Sequence, residues 1–87
     1  MISTKVKITN PSGFHVGPAK VLSDTAQHFK SKITIFYKYH QINAKSLMNI
    51  LSGCIREGSI LTIEFDGPDE EAAMKKIIHT IENDLEG

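Results

Sequence analysis

The decamer Asn10-Pro11-Ser12-Gly13-Phe14-His15-Val16-Gly17-Pro18-Ala19 contains the side chain with the most chemistry to offer, His15. A neutral imidazole nitrogen is a nucleophile, and a phosphoryl group placed on it needs donors waiting for its oxygens. The neighbouring residues can supply them. Apolar residues at 19, 22, 26 and 29 repeat with the helical period. Pro18 suits a first helical turn, where a missing N–H costs nothing. His15 is therefore expected at the mouth of a helix. There the unpaired N–H groups of Val16 and Gly17 and the helix dipole favour an anion. Gly17 has no side chain to hold that anion away from its N–H. On this stretch alone, a plain loop histidine at a helix start fits as well.

Ser46 is the second candidate. It precedes Leu47-Met48-Asn49-Ile50-Leu51-Ser52, where Leu47, Ile50 and Leu51 have helical spacing, so it reads as an N-cap. A phosphate is tolerated at such a position and would add roughly two negative charges beside Lys45. Most N-cap serines only cap. Cys54 has no motif around it and reads as a buried structural thiol. His28, His40 and His79 show no metal-ligand spacing, so neither metal nor cofactor is expected. Gly13 and Gly17 do not form a phosphate-cradling glycine motif.

These residues need elements to position them. A half-buried strand over about 3–9 sends Val6 and Ile8 inward. Helix one follows over about 16–28, with His28 near its end. A strand over 33–37 turns through Lys38-Tyr39 into another over 40–43; lacking Asn-Gly or Asp-Gly, that turn is expected to be strained and its register loose. The short second helix ends at Gly53 or Cys54. A strand over 59–65 puts Leu61, Ile63 and Phe65 on one face. Met74, Ile77, Ile78, Ile81 and Leu85 make the stripe of a third helix, with acids at 69–71 in its first turn. The order β-α-β-β-α-β-α points to an α+β fold with helices on one face of an antiparallel sheet. The other face, with Lys5, Lys7, Thr34, Phe36, Thr62 and Glu64, is expected to be solvated.

Eighty-seven residues, 40% of them apolar, fit a single domain over 1–87 with one modest core. The lone cysteine and the absence of a long apolar run predict a cytoplasmic chain with no signal peptide and no membrane insertion. Charge is lopsided. Residues 1–45 have seven lysines against Asp24, a net +6; residues 46–87 have nine acids against Arg56, Lys75 and Lys76, a net −6. This argues for one basic face. No aromatic-interleaved basic motif accompanies it, so nucleic acid is not an expected partner.

The chain resembles HPr, the histidine-containing phosphocarrier family of the bacterial sugar phosphotransferase system. The resemblance rests on Gly13-Phe14-His15-x-x-Pro18-Ala19, Ala44-Lys45-Ser46-Leu47-Met48, the run from Gly53 to Gly58, and Asp66-Gly67, and covers essentially the whole chain. It implies an open-faced β-sandwich, a four-stranded antiparallel sheet with three helices on one face. It implies a monomeric carrier with a transient phosphohistidine rather than an independent catalyst. His15 would accept phosphate on Nδ1 from phosphorylated enzyme I, with phosphoenolpyruvate as the ultimate donor, and pass it to enzyme IIA of a sugar permease. Ser46 matches the position modified by an ATP-dependent HPr kinase/phosphorylase, which implies a regulatory alternative acting through a transcription regulator. Leu47, Met48 and Leu51, beside Lys20 and Lys45, match the partner-docking surface. Two departures stand out: Gly17 replaces the usual arginine, and Lys38-Tyr39 replaces a common Asn-Gly turn.

Overall fold

Alternation of apolar and polar residues builds the sheet, and helical periodicity builds the layer that covers it. The computed structural model describes residues 1–85. Its elements are β1 (Ile2–Lys7), α1 (Val16–Ala26), β2 (Lys32–Tyr37), β3 (His40–Asn43), α2 (Leu47–Ser52), β4 (Ile60–Asp66) and α3 (Glu70–Asn83). The strands form one antiparallel sheet in the order β1-β4-β2-β3. The helices cover one face, with α1 packed against both α2 and α3. This is the open-faced β-sandwich expected of the sequence.

Register follows burial. On β4, Leu61, Ile63 and Phe65 point into the core and are fully buried; across the sheet they meet Val6 on β1 and Ile33 and Ile35 on β2. A slip of one residue would turn that whole set to solvent, which makes the pairing specific. Leu22 and Ala26 of α1, Ile50 of α2, and Ala73, Ile77 and Ile81 of α3 close the core from the helical side. Each of the larger side chains contributes about 1.5–3 kcal/mol by its burial. Thr80 is also buried, and its hydroxyl donates to the Lys76 carbonyl at 2.8 Å, so the helix satisfies it internally.

The structure departs from the sequence expectations at several places. β1 stops at Lys7, although Ile8 continues inward and its N–H donates to the Ser59 carbonyl at 2.8 Å. Helix α1 ends at Ala26, because His28 and Phe29 donate to Thr25 and Ala26 three residues back, which tightens and closes the last turn. His28 thus lies beyond the helix. Thr34, expected on a solvated face, is only 6% exposed, because it sits on a central strand between Asn43 and Glu64. The Lys38-Tyr39 turn forms as a two-residue connection with Tyr37 opposite His40, Lys38 taking φ of 54°. The Lys38 ammonium lies 5.2 Å from the centre of the Tyr37 ring, an attraction that favours this conformation. Cys54 is exposed, not buried. It follows the Gly53 cap in a left-handed conformation, φ 51°. Gly53 itself packs on the core: a Cβ there would lie 2.5 Å from Ile42 Cδ1.

Candidate functional site

The loop that presents His15 is fixed before the helix begins. Asn10 is buried; its Nδ2 donates to the Gly13 carbonyl at 2.7 Å, while its own carbonyl accepts the Gly13 N–H at 3.0 Å. Asn10 Oδ1 is buried with no partner among the described residues. Gly13 adopts φ of 60°, and a Cβ there would stand 2.5 Å from the Ile55 carbonyl oxygen and 2.8 Å from Arg56 Cα. Only glycine permits both the conformation and the close approach. Phe14 then buries its ring to 3% exposure and donates its N–H to the Ile55 carbonyl at 3.0 Å. With its two predecessors pinned, His15 has little freedom of place.

His15 is itself the N-cap of α1, with φ −75° and ψ −176°. Its carbonyl accepts the Ala19 N–H at 2.9 Å, and its side chain makes no capping bond. The exposed imidazole makes no hydrogen bond among the described residues. A Cβ placed on Gly17 would lie 3.4 Å from His15 Cε1 and 4.0 Å from Nδ1, so the Cε1–Nδ1 edge of the ring lies beside Gly17. Val16 and Gly17 are the first two helical residues, whose N–H groups have no carbonyl one turn back to accept them. Pro18 has no N–H, and the Ala19 N–H is taken. The helix mouth thus offers two backbone donors beside the ring, with no acid in the first turn to repel an anion.

The other predicted residues are placed as follows. Ser46 is the N-cap of α2, its Oγ accepting the Asn49 N–H at 3.2 Å. Lys20 pairs with Asp24 at 3.1 Å along the exposed side of α1. Lys45 is less available than a surface lysine: its Nζ donates to the Phe29 carbonyl at 2.6 Å, and its own carbonyl accepts from Gln27 Nε2 at 2.9 Å. Met48 is 74% exposed, while Leu47 and Leu51 are half-buried against the core. Val16, 59% exposed, adds an apolar side chain at the histidine end of α1. The expected single basic face is not formed. Lys5, Lys7 and Lys32 lie on the open face of the sheet, Lys20 on α1 and Lys38 at the hairpin, while Lys30, Lys32 and Lys45 line one cleft.

Sequence reasoning missed the residues that hold the loop. Asn10 and Gly13 were legible as turn residues, but their contact with the Ile55–Arg56 backbone joins segments far apart in the chain and leaves no local signal. Asp69 was missed in the same way. Read as part of a break and cap and of an acidic first turn, it is the N-cap of α3 but makes no side-chain capping bond, and instead receives the N–H groups of Lys30 and Ser31, each at 2.9 Å, and the Ser31 hydroxyl. The Ser31 hydroxyl and the Lys30 N–H hold its carboxyl down to a pKa of about 2. Among the described residues, no cluster of His, Cys, Asp and Glu could hold a metal, and no helix is long and apolar enough to cross a membrane.

A four-stranded antiparallel sheet covered on one face by three helices is the architecture of the solved HPr phosphocarriers. Residues 2–83 match the family model described as the PTS HPr component phosphorylation site, and the chain belongs to this HPr family, the phosphocarriers of the phosphotransferase system. It is 40% identical over 74 residues to the phosphocarrier protein HPr of Mycoplasma capricolum, covering 85% of this chain and 83% of that one. Among solved structures it is similar to an HPr of Thermoanaerobacter tengcongensis, with a TM-score of 0.93, 33% identity, and coverage of 98% of this chain and 96% of that one. It is also similar to Crh, the Bacillus subtilis catabolite repression protein, with a TM-score of 0.75, 27% identity and 94% of each chain covered.

Proposed function

We propose that this chain is a cytoplasmic phosphoryl carrier that accepts phosphate on His15 Nδ1 from phosphorylated enzyme I and delivers it to enzyme IIA domains of sugar permeases. The observation that carries this reading is the exposed imidazole at the N-cap of α1, free of any capping bond, with its Cε1–Nδ1 edge beside Gly17. In the acceptance step the Nδ1 lone pair attacks phosphorus in line, with the ring proton on Nε2, as the bond from phosphorus to the donor's nitrogen breaks. Charge builds on the phosphoryl oxygens, and the free Val16 and Gly17 N–H groups at the helix start would receive it. Delivery reverses the step onto the next acceptor. Leu47, Met48 and Leu51 form the apolar part of the docking surface, with Lys20 and Lys45 at its edge.

The test is incubation with phosphoenolpyruvate and enzyme I, followed by intact-mass measurement at neutral and acid pH. One acid-labile phosphoryl group on the wild type and none on a folded His15→Ala variant is the expected result. Label remaining on His28, His40 or His79 would refute the assignment.

A second reading is favoured by the likeness to Crh together with Gly17, where the family usually has arginine. In it the chain acts through phosphorylation of Ser46 by HPr kinase/phosphorylase and binding to a transcription regulator. An acid-stable adduct formed only with ATP and that kinase would select this reading over the first.

A further inference from the structure

A cleft of about 550 Å³ lies at the end of the β2–β3 ribbon beside α2, and no residue of the His15 loop lines it. Its walls carry Lys30, Lys32 and Lys45 with Gln41, Asn43 and Asn49, and no carboxylate. The asparagine amides are oriented by the backbone. Asn43 Oδ1 accepts the Lys45 N–H at 3.0 Å, and Asn49 Oδ1 accepts the Asn43 N–H. Both carbonyl ends are thereby committed to N–H groups that need an acceptor. Their Nδ2 groups make no hydrogen bond among the described residues, leaving them as donors. Lys45 spends one proton on the Phe29 carbonyl and keeps two. Neither Lys30 nor Lys32 forms an ion pair among the described residues.

The surrounding acids do not cancel this charge from within. Asp69, the carboxylate bonded to the Lys30 N–H, also receives the Ser31 N–H and hydroxyl. Glu64 and Asp66 are the register partners of Thr34 and Lys32 on β4, across β2 from β3. What the cleft offers is a lining with three lysines and two asparagines whose amide carbonyls are held, around a concavity of small-molecule size. Phosphoryl oxygens accept from such groups by charge-assisted hydrogen bonds.

We propose that this cleft binds a small phosphate-bearing metabolite through Lys30, Lys32, Lys45, Asn43 and Asn49, at a site separate from the phosphoacceptor histidine. The assignment does not depend on His15 being phosphorylated.

The experiment is an NMR titration of the 15N-labelled chain with inorganic pyrophosphate, then glucose 6-phosphate, each at fixed ionic strength and against a chloride control. Saturable shifts of the Asn43 and Asn49 side-chain amides and of the Lys45 backbone amide are expected, unchanged in His15→Ala. Asn43→Asp keeps the acceptor for the Lys45 N–H while replacing the outward donor by an anion, and Lys32→Gln removes one exposed charge. Each is expected to weaken binding by about tenfold, the scale of one charge-assisted contact. Linear shifts equal to those from chloride, shifts confined to Val16–Ala19, or variants that bind as tightly as the wild type would overturn the proposal. Saturation by a phosphoserine peptide when both small probes fail would also overturn it, since the site would then belong to a protein partner.

Discussion

Replacing Gly13 by alanine tests how the His15 loop is held. At φ of 60° an alanine pays about 1–2 kcal/mol for the left-handed conformation alone. The new Cβ would also stand 2.5 Å from the Ile55 carbonyl oxygen and 2.8 Å from Arg56 Cα. Both are backbone atoms, so neither can swing aside, and the two segments must separate. Separation stretches the bond from the Phe14 N–H to that same carbonyl, 3.0 Å long and worth about 0.5–1.5 kcal/mol. It also begins to uncover the Phe14 ring. We expect a loss of about 2–4 kcal/mol, a large share of the roughly 5–15 kcal/mol typical of a folded domain. Gly58→Ala is the matched control, because Gly58 has φ of 89° with nothing within 4 Å of its added Cβ, so only the conformational cost applies. Urea unfolding of both variants gives the stabilities, and the initial rate of phosphohistidine formation reports the loop. Gly13→Ala should lose more stability than Gly58→Ala and slow phosphorylation beyond what its unfolded fraction accounts for. Equal costs in the two variants would refute the view that close backbone contact fixes His15.

Three further outcomes follow from single residues. Gly17→Arg adds a side chain where a Cβ meets only the His15 ring at 3.4 Å, an ordinary contact; thermal melts should show a gain of about 0.4–1 kcal/mol. Quench-flow transfer from the enzyme I of an arginine-type relative should also be faster, and slower transfer from that donor would contradict the reading. Ser46→Ala should lose about 1 kcal/mol in urea unfolding, while Ser46→Asp, which still caps, should not. Ser46→Asp should nevertheless slow transfer from enzyme I, an effect that shrinks with added salt as charges are screened over ~10 Å at 0.1 M. The lowered carboxyl of Asp69 stabilises the fold fully above the ordinary carboxylate range, and that contribution is lost as pH falls toward about 2. Asp69→Asn should therefore flatten the acid limb of stability measured by urea midpoints, and an unchanged limb would exclude this carboxylate as its source.

Much of the layering was legible because it is periodic. Leu61, Ile63 and Phe65 alternate, Leu22 and Ala26 fall one turn apart, and Ser46 stands immediately before an apolar helical repeat; each is a signal within a few residues. The misreadings concern positions decided by chain segments remote in sequence. Thr34 looks like a surface threonine until β3 and β4 flank it, and Cys54 looks like a small core residue until Gly53 takes the packed position against Ile42. Lys45 reads as a surface cation, yet the Phe29 carbonyl claims one of its protons.

The site divides along the same line. That His15 begins a helix is written locally in Gly17, Pro18 and the apolar repeat; where its backbone is held follows from a loop pinned by Ile55. The arrangement also sets a limit on what this chain supplies alone. A phosphoryl group on Nδ1 exposes three terminal oxygens, while Pro18 and the capped Ala19 leave only the Val16 and Gly17 N–H groups at the mouth. On the proposed function, with no side chain at position 17, the remaining oxygen would be left to water or to the docked protein. Water suits a resting phosphohistidine, whereas transfer between proteins excludes it and lets a partner's donor act in a drier, lower-dielectric site. The exposed apolar side chain of Val16, at the first residue of α1, would then help to keep water from that donor.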